Sequence, residues 1–587
     1  MWQVFFCLSV LATIVGLGYI FIARNKKEMK VAPVNLLLCA IFAANTLMFM
    51  PMYYSVFGND EEFSLVFKTI LVSMHHALRL FIVDCDFEMV KDMVPDANAL
   101  FYYAYTCYAS ILFLLSPVLT FSFIFSFFKN VSAHRKYISN YNKDAYIFSE
   151  VDEESIELAL SIKEKFNDCI IIFTNFSEEN SQICELDKKI KSMRAIVFKK
   201  DILSLNFMFH NKKKNINFFL FGREESANIK YALGIIQTYN KRKNTQLYVL
   251  SNEIEGEVLL NAAQTEEIKV RRISNVRTMI YSILQDKGSE LFDNAVQHKE
   301  TGKRLISAVI VGLGKYGSEM TKALAWFCQM EGYRIEIDVY EKDSCAENLF
   351  ASMCPELMDK EHNDKFDDPG EAQYRIGIHA GIDVNTFQFC REIKKLGNTT
   401  YVFIALGNDE ANIRTSIKLR TLFERMGIKP KIQAIVEDSE RKKSLADIKN
   451  YSNQPYDIEY VGSVDEIYSY GNIINSRLER EALERHLCWG EENDFWKYEY
   501  NYRSSMASAL HRRMKKICHM SGIEKVPAER TEEEKHTLRL LEHRRWNAYM
   551  RSEGFVYSPK RNNLAKTHHC LVTFDLLSQA DKEKDDD

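Results

Sequence analysis

Two stretches of the chain carry residue types at spacings that can hold a small anionic molecule. The first is Gly312-Leu313-Gly314-Lys315-Tyr316-Gly317, three glycines spaced as in a phosphate-cradling turn. The first glycine permits the tight turn, the second lets backbone approach a pyrophosphate, and the third lets a following helix pack on the preceding strand. With Lys315 and Tyr316 inside the turn and a helix predicted from Ser318 to about Gln329, leading helix amides face the anion. Glu341 and Asp343 stand at the end of the next predicted strand, about twenty residues on, where a carboxylate accepts from ribose hydroxyls.

The second stretch lies near the carboxyl end. Thr531 and Glu534 have the spacing of a capping box, opening a helix that carries His543, Arg544, Arg545, Trp546 and Tyr549, with Phe555 and Tyr557 beyond it. Glu542 and Trp546 are one turn apart, as are Arg545 and Tyr549. Aromatic rings beside guanidinium groups can sandwich a nucleobase and clamp a phosphate. Aromatic residues at helical spacing also fill cores, and both readings stay open at Trp546 and Phe555.

No catalytic constellation accompanies these stretches. There is no Gly-x-Ser-x-Gly, no His-Glu-x-x-His and no Walker lysine turn, so the expectation is a binding protein and not an enzyme. The 13 cysteines include no Cys-x-x-Cys pair, which is usage for a reduced compartment. His568-His569-Cys570 is the densest group of metal-ligand types. Without a second cluster it reads as ordinary loop chemistry, and no metal site is expected.

The elements that must position the glycine turn are legible on either side of it. Ile306–Val311 and Ile335–Tyr340 read as buried strands flanking the turn and its helix. Upstream, Asp144–Ser149, Cys169–Phe173, Ala195–Phe198, Asn217–Phe221 and Gln246–Leu250 are further strands, with a helix from Glu153 to Phe166. Continuous apolar strands alternating with helices imply parallel sheets covered on both faces, a Rossmann-type architecture. The unit recurs: Phe219 to Ile229 echoes Phe403 to Ile413, and Gln246 to Leu250 echoes Ile432 to Val436, within about one residue of register. The expected organisation is a first α/β domain over 140–295 and a second over 300–480. At the equivalent turn the first copy reads Phe148-Ser149-Glu150-Val151-Asp152, with two acids and no glycine, so no dinucleotide is expected there.

Ahead of these domains, Trp2–Ala23, Val31–Gly58 and Ala97–Phe128 are uncharged. Each exceeds the roughly 20 residues a helix needs to cross a bilayer core, so a domain over 1–135 with three spans, about 2–23, 31–57 and 99–128, is expected. Arg24, Lys26 and Lys27 follow the first run, and Lys129, His134, Arg135 and Lys136 follow the third. By the positive-inside rule the amino terminus is outside and the bulk of the chain cytoplasmic, at the cell's inner (plasma) membrane. Phe63 to Val83 repeats its apolar positions at helical spacing and suits an interfacial or re-entrant helix. Asp60, Glu61, Glu62, Asp84 and Asp86 suit either the mouth of a cation path or a solvated loop. No Thr-Val-Gly-Tyr-Gly filter is present.

The 587 residues are enough for three or four domains, and 76 Lys+Arg against 80 Asp+Glu argue against a protein that wraps nucleic acid. A small membrane domain followed by two Rossmann units resembles channels and transporters with tandem RCK domains, regulators of potassium conductance. That resemblance covers roughly 140 to 480. The order Leu541 to Met550, Gly554 to Tyr557, Lys566 to Leu577 and Lys582 to Asp585 resembles the RyR repeat of ryanodine receptors and many bacterial proteins, with Trp496 to Lys516 as its lead-in helix, placing a mainly helical domain over 490–587.

These resemblances imply a homo-oligomeric membrane effector or ion channel gated by a nucleotide-derived ligand, in a bacterial anti-phage setting where the membrane is disrupted. The implied sites are Gly312, Gly314, Lys315, Tyr316, Gly317, Glu341 and Asp343 for NAD or another nucleotide, and His543, Arg544, Arg545, Trp546, Tyr549, Phe555 and Tyr557 for the ligand of the RyR module. Two alternatives remain: a housekeeping RCK-type transport regulator binding NAD or ATP, and a membrane-tethered NAD-dependent oxidoreductase.

Overall fold

The computed structural model describes residues 1–23, 33–58, 62–84, 94, 99–175, 183–252, 256, 258–260, 268–298, 302–359, 368, 370–446, 448–449 and 452–585. Arg24, Lys26 and Lys27 of the expected orientation signal, and Asp60, Glu61 and Asp86 of the acidic loop, lie outside the described residues. The chain divides into two units, Met1–Ile138 and Ser139–Asp587.

The first unit is helical, with α1 (Trp2–Ala23), α2 (Pro33–Val56), α3 (Glu62–Phe81) and α4 (Ala99–Ser139). Uncharged runs rich in Leu, Phe and Ala favour helix and leave its outer surface apolar. Two helices are long and apolar enough to cross a membrane, over Leu36–Val56 and Ala99–Phe121. The described apolar stretch of α1, Trp2–Gly18, is shorter, so two of the three expected spans meet that test. Small residues let α1 and α2 approach closely: a Cβ on Gly16 would lie 2.6 Å from the Ala40 Cβ. Val4, Leu11, Ile14, Leu114 and Phe121 are exposed while Ser9, Asn45, Ser73 and Ser116 are fully buried. Much of this unit's surface polarity is therefore inverted relative to a domain folded in water.

The second unit contains two sheets. Strands β1 (Asp144–Phe148), β2 (Cys169–Phe173), β3 (Ile196–Val197), β4 (Ile216–Leu220), β5 (Thr245–Leu250) and β6 (Ile268–Ile273) pair in parallel in the order β3-β2-β1-β4-β5-β6. The second sheet begins with β7 (Val296–Gln297), antiparallel to the start of β8 (Arg304–Val311). Its remaining strands are β9 (Tyr333–Glu341), β10 (Tyr374–Ala380), β11 (Tyr401–Ile404), β12 (Lys431–Ile435) and β13 (Ile458–Val461). They pair in parallel as β10-β9-β8-β11-β12-β13. Counted within each domain, both parallel orders are 3-2-1-4-5-6, the order of the dinucleotide-binding Rossmann fold, whose ligands lie where the strand order reverses.

The internal repeat extends to the hydrogen bonds. Helices α5 (Glu153–Lys165), α6 (Glu225–Tyr239), α7 (Asn275–Lys287), α8 (Lys315–Phe327) and α9 (Asp409–Met426) accompany the sheets. On α6 the buried Asn228 amide donates to Leu250 O at 3.0 Å, and on α9 the buried Asn412 amide donates to Ile435 O at 3.0 Å. One turn earlier, Glu225 accepts from Asn252 N at 2.7 Å, and Asp409 accepts from Glu437 N at 3.0 Å. Each pair satisfies backbone groups at the end of the fifth strand, which would otherwise be left without partners inside the fold.

Helices α10 (Arg477–His486), α11 (Glu499–Ile517) and α12 (Glu532–Ser552) form most of the carboxyl-terminal part, with a two-residue pairing of β14 (Val556–Tyr557) and β15 (Thr567–His568). The capping box of α12 is present, with Glu534 N donating to Thr531 Oγ1 at 3.2 Å and Thr531 N to Glu534 Oε2 at 2.9 Å. This part joins the Rossmann-like domains through ion pairs. Arg271 pairs with Glu479, and Arg272 Nε donates to Glu499 at 2.8 Å. Arg277 bridges Glu319 at 2.9 Å and Glu553 at 2.8 Å.

Candidate functional site

The glycine turn has the geometry its spacing predicts. Gly312 has φ of +93°, and a Cβ there would lie 2.4 Å from Ala405 O, so only glycine fits. A Cβ on Gly317 would lie 1.8 Å from Gly312 O, which is the close packing of helix on strand. Gly314 is exposed and meets nothing within 4 Å, so that approach to the turn is open. It precedes α8 without a side-chain cap, leaving the leading amides to an external acceptor.

Glu341 is already engaged with this turn. Its Oε2 accepts from Leu313 N at 2.7 Å, and its Oε1 accepts from Lys342 N at 2.8 Å and Asp343 N at 3.2 Å. The carboxylate thus fixes the loop next to where a ribose would lie. Asp343 is exposed and accepts from Cys345 N at 2.9 Å, while Lys315 is exposed on the first turn of α8. Tyr316 turns toward the rim of the crevice and donates to Glu437 Oε1 at 2.9 Å. Burial and the adjacent Glu437 push its phenol well above the usual range, so it acts as a donor.

The first domain's equivalent position holds its own anion. Asp152 caps α5, accepting from Ser155 N at 2.8 Å, and is buried. Burial raises its carboxyl, opposed by the hydrogen bonds from Ser155. A phosphate bound there would have to displace a side chain that supplies the cap.

A second concavity lies in the carboxyl-terminal part, a cleft of about 1310 Å³ between α10, α11, α12 and the segment around β15. That exceeds the roughly 300–1,000 Å³ usual for small-molecule sites. Twelve Lys and Arg against eight Asp and Glu line it, a positive balance suited to an anion. Arg545, Trp546, Tyr549 and Phe555 all line this cleft. Arg545 is almost fully buried and donates from Nε and Nη2 to Glu542 Oε1 at 3.0 and 2.8 Å, while its Nη1 has no partner among the described residues. Glu542 also accepts from Ser508 Oγ at 3.1 Å and lies 3.6 Å from Lys515. Burial alone would raise the Glu542 carboxyl; Arg545 and then Lys515 hold it far below the ordinary range. Trp546 is half-buried, 4.8 Å from the His568 ring and 6.1 Å from His543.

Three expected ligand residues do not line this cleft. His543 is buried, with Nε2 2.9 Å from Val572 O and Nδ1 3.2 Å from Asp585. Arg544 is buried, its pKa lowered to about 10 by burial, with Asp368 and Glu331 opposing. Tyr557 is exposed, and its backbone N–H donates to Glu356 at 2.5 Å. Four consecutive positions on a helix cannot share one face, so Arg545 and Trp546 take the cleft while their neighbours turn elsewhere.

Sequence reasoning missed the opposing wall. Ser505, Ser508, Arg512 and Lys516 recur at helical spacing on α11 and line the cleft. The signal was small polar residues in one half of a helix and cations in the next, on one face. At the rim, His568, His569 and Cys570 bring their ligand atoms within 4.8 Å of one another. Burial lowers the His568 pKa to about 4, helped by Arg561, and raises the Cys570 thiol to about 11. His568 Nδ1 accepts from Cys570 N at 3.1 Å, so that nitrogen is taken. No protein-family model matches the sequence, and no curated protein matches it.

Proposed function

We propose that the chain is a membrane-anchored receptor, a bacterial RyR-repeat protein with tandem RCK-like domains, in which a nucleotide-derived ligand in the carboxyl-terminal cleft controls the helical front unit. The observation that carries this reading is the cleft itself. It holds a buried guanidinium with an unpartnered N–H, an indole, a phenol and a positive lining, and that combination recognises a base joined to phosphate. The unit with two long apolar helices is the output, spanning the membrane three times as an oligomer, with the large second unit in the cytoplasm. Opening a pore or breaching the bilayer in response to a signal nucleotide suits an anti-phage effector. Titration calorimetry on the full chain in detergent, across linear and cyclic nucleotides, tests the receptor step. A binder whose heat is lost in Trp546→Ala and Arg512→Ala supports it; no binding by any nucleotide contradicts it.

A second reading rests on the other crevice. Gly312, Gly314, Gly317 and the α8 amides suit the pyrophosphate of NAD, with Lys315, Tyr316, Glu341 and Asp343 at the rim. Bound there, NAD or ATP would regulate transport as in RCK-type proteins. Hydride chemistry is the weaker form, since the crevice offers no evident general acid. Nicotinamide fluorescence on adding NADH separates the two sites, because Gly314→Ala blocks this crevice and leaves the cleft intact.

A further inference from the structure

Among its described residues, the first unit contains buried hydroxyl and amide groups without a partner. The hydroxyls of Thr13, Thr46, Thr106, Ser110, Ser116 and Thr120 all donate to the carbonyl four residues earlier, between 2.8 and 3.2 Å. That is the default for Ser and Thr in apolar helices. Thr69 and Ser73 on α3 depart from it. Both are buried, and neither hydroxyl has a partner among the described residues. On α2, the buried Asn45 donates to Ser116 Oγ at 2.8 Å, but its Oδ1 has no partner either.

The groups on α3 line up. Positions 69, 73 and 76 are spaced four and three apart and share one face of α3. His76 follows on that face, with its Nδ1 2.6 Å from the Tyr53 hydroxyl of α2. The opposite face exposes Phe63, Phe67, Leu71 and Leu78. Helix α3 therefore turns polar groups inward and apolar groups outward, the arrangement for a helix solvated by lipid on one side and by water on the other. Buried polar atoms without partners are unfavourable by about 1–3 kcal/mol each unless water meets them.

We propose that the interior of this unit holds a file of water along Asn45, Tyr53, Thr69, Ser73 and His76, and that the file relays protons. The proposal rests on the reading of this unit as membrane-embedded and adds what passes through it. Every lining group both donates and accepts, as a relay requires. Each transfer breaks one O–H or N–H bond as the next forms. His76 takes a proton on one ring nitrogen and releases one from the other, so only a proton moves and no oxidant or reductant is needed. No carboxylate is buried in this unit among the described residues, so a bare metal cation would find no compensating charge.

The test uses the full chain in liposomes, with exposed Cys7, Cys39 and Cys107 replaced by serine. A water-soluble methanethiosulfonate is applied to Ser73→Cys, Thr69→Cys and Ala109→Cys, the last at a fully buried apolar position on α4. Modification of positions 73 and 69 at least tenfold faster than position 109 is expected; equal rates overturn the water file. Proton uptake driven by a potassium–valinomycin potential should exceed that of protein-free vesicles and fall in His76→Phe. Uptake that is absent, or unchanged by that substitution, overturns the relay. Protein that washes off the vesicles in carbonate overturns the membrane reading itself, a different outcome from an inserted protein with a dry interior.

Discussion

Replacing Arg277 by methionine tests how the second unit is held together. Its guanidinium reaches from α7 to Glu319 on α8, the helix that starts at the glycine turn, and to Glu553, which caps α12 and lines the cleft. Glu553 also meets Arg503 at 3.2 Å, and Arg503 meets Glu499, the partner of Arg272. Two pairs with charge centres about 4 Å apart are each worth about 4 kcal/mol at an effective dielectric near 20, before desolvation is subtracted. Breaking a buried pair typically removes about 3–5 kcal/mol. Arg277 retains 19% of its side-chain exposure, so solvent screening brings the loss below that range, to about 2–3 kcal/mol. Thermal unfolding of the full chain in detergent should show the second unit's transition lowered by roughly 2–3 °C, since about 2.1 cal/mol/K per residue over Ser139–Asp587 gives an unfolding entropy of about 0.9 kcal/mol/K. A cycle with Glu553→Gln should give a coupling of about 1–2 kcal/mol. An unchanged transition, or strictly additive single effects, would refute the role given to this bridge.

Two of the three glycines of the turn should separate folding from binding. Gly317→Ala has no room for its Cβ and should destabilise the second Rossmann-like domain by about 3 kcal/mol or more, seen as a lower midpoint in a thermal melt. Gly314→Ala has open space and should leave the melt unchanged while abolishing any dinucleotide affinity measured by NADH fluorescence. Two buried groups make the second unit acid-sensitive. The His511 pKa falls to about 3 through burial and Lys515; Glu553 would be raised by burial, but Arg277 and then Arg503 hold it to about 2. In both cases the unfolded chain binds protons that the folded chain refuses, so stability falls with pH below about 6.5 for His511 and below about 4.3 for Glu553. The midpoint of unfolding against pH should slope accordingly, and His511→Asn should flatten the segment between about pH 6.5 and 4.5. Thr531→Ala removes half of a capping box and should lower stability by about 1 kcal/mol, measured by hydrogen exchange in the first turn of α12.

The sheets were legible where a strand is a continuous apolar run, because such a run is buried on both faces and has few alternatives. Thus β1, β2, β4, β5, β8 and β9 lie within about two residues of their expected places. Strand β6 was not legible, because Lys269, Arg271 and Arg272 break its apolar pattern. Those arginines are there for Glu479 and Glu499, partners more than 200 residues away that no local window contains. Strand β7 is two exposed residues added by one antiparallel pairing, too short to carry a period. The internal repeat was visible as similar letters, and Asn228 and Asn412 show what the similarity is for. At the sites, spacing predicted the turn over Gly312 to Gly317 because the close backbone approach at Gly312 and Gly317 admits only glycine. It located Arg545 and Trp546 but not the α11 wall opposite, since facing helices are joined only by tertiary packing.

The central claim is that a nucleotide acting on the second unit changes the permeability of the membrane holding the first. Dye-loaded liposomes carrying the full chain, exposed in turn to NAD, ATP, ADP-ribose and cyclic dinucleotides, test it most directly. The account predicts release or ion flux with at least one nucleotide, lost in Trp546→Ala without loss of membrane insertion. Vesicles that stay tight to every one of these, with the protein inserted and folded, would contradict it.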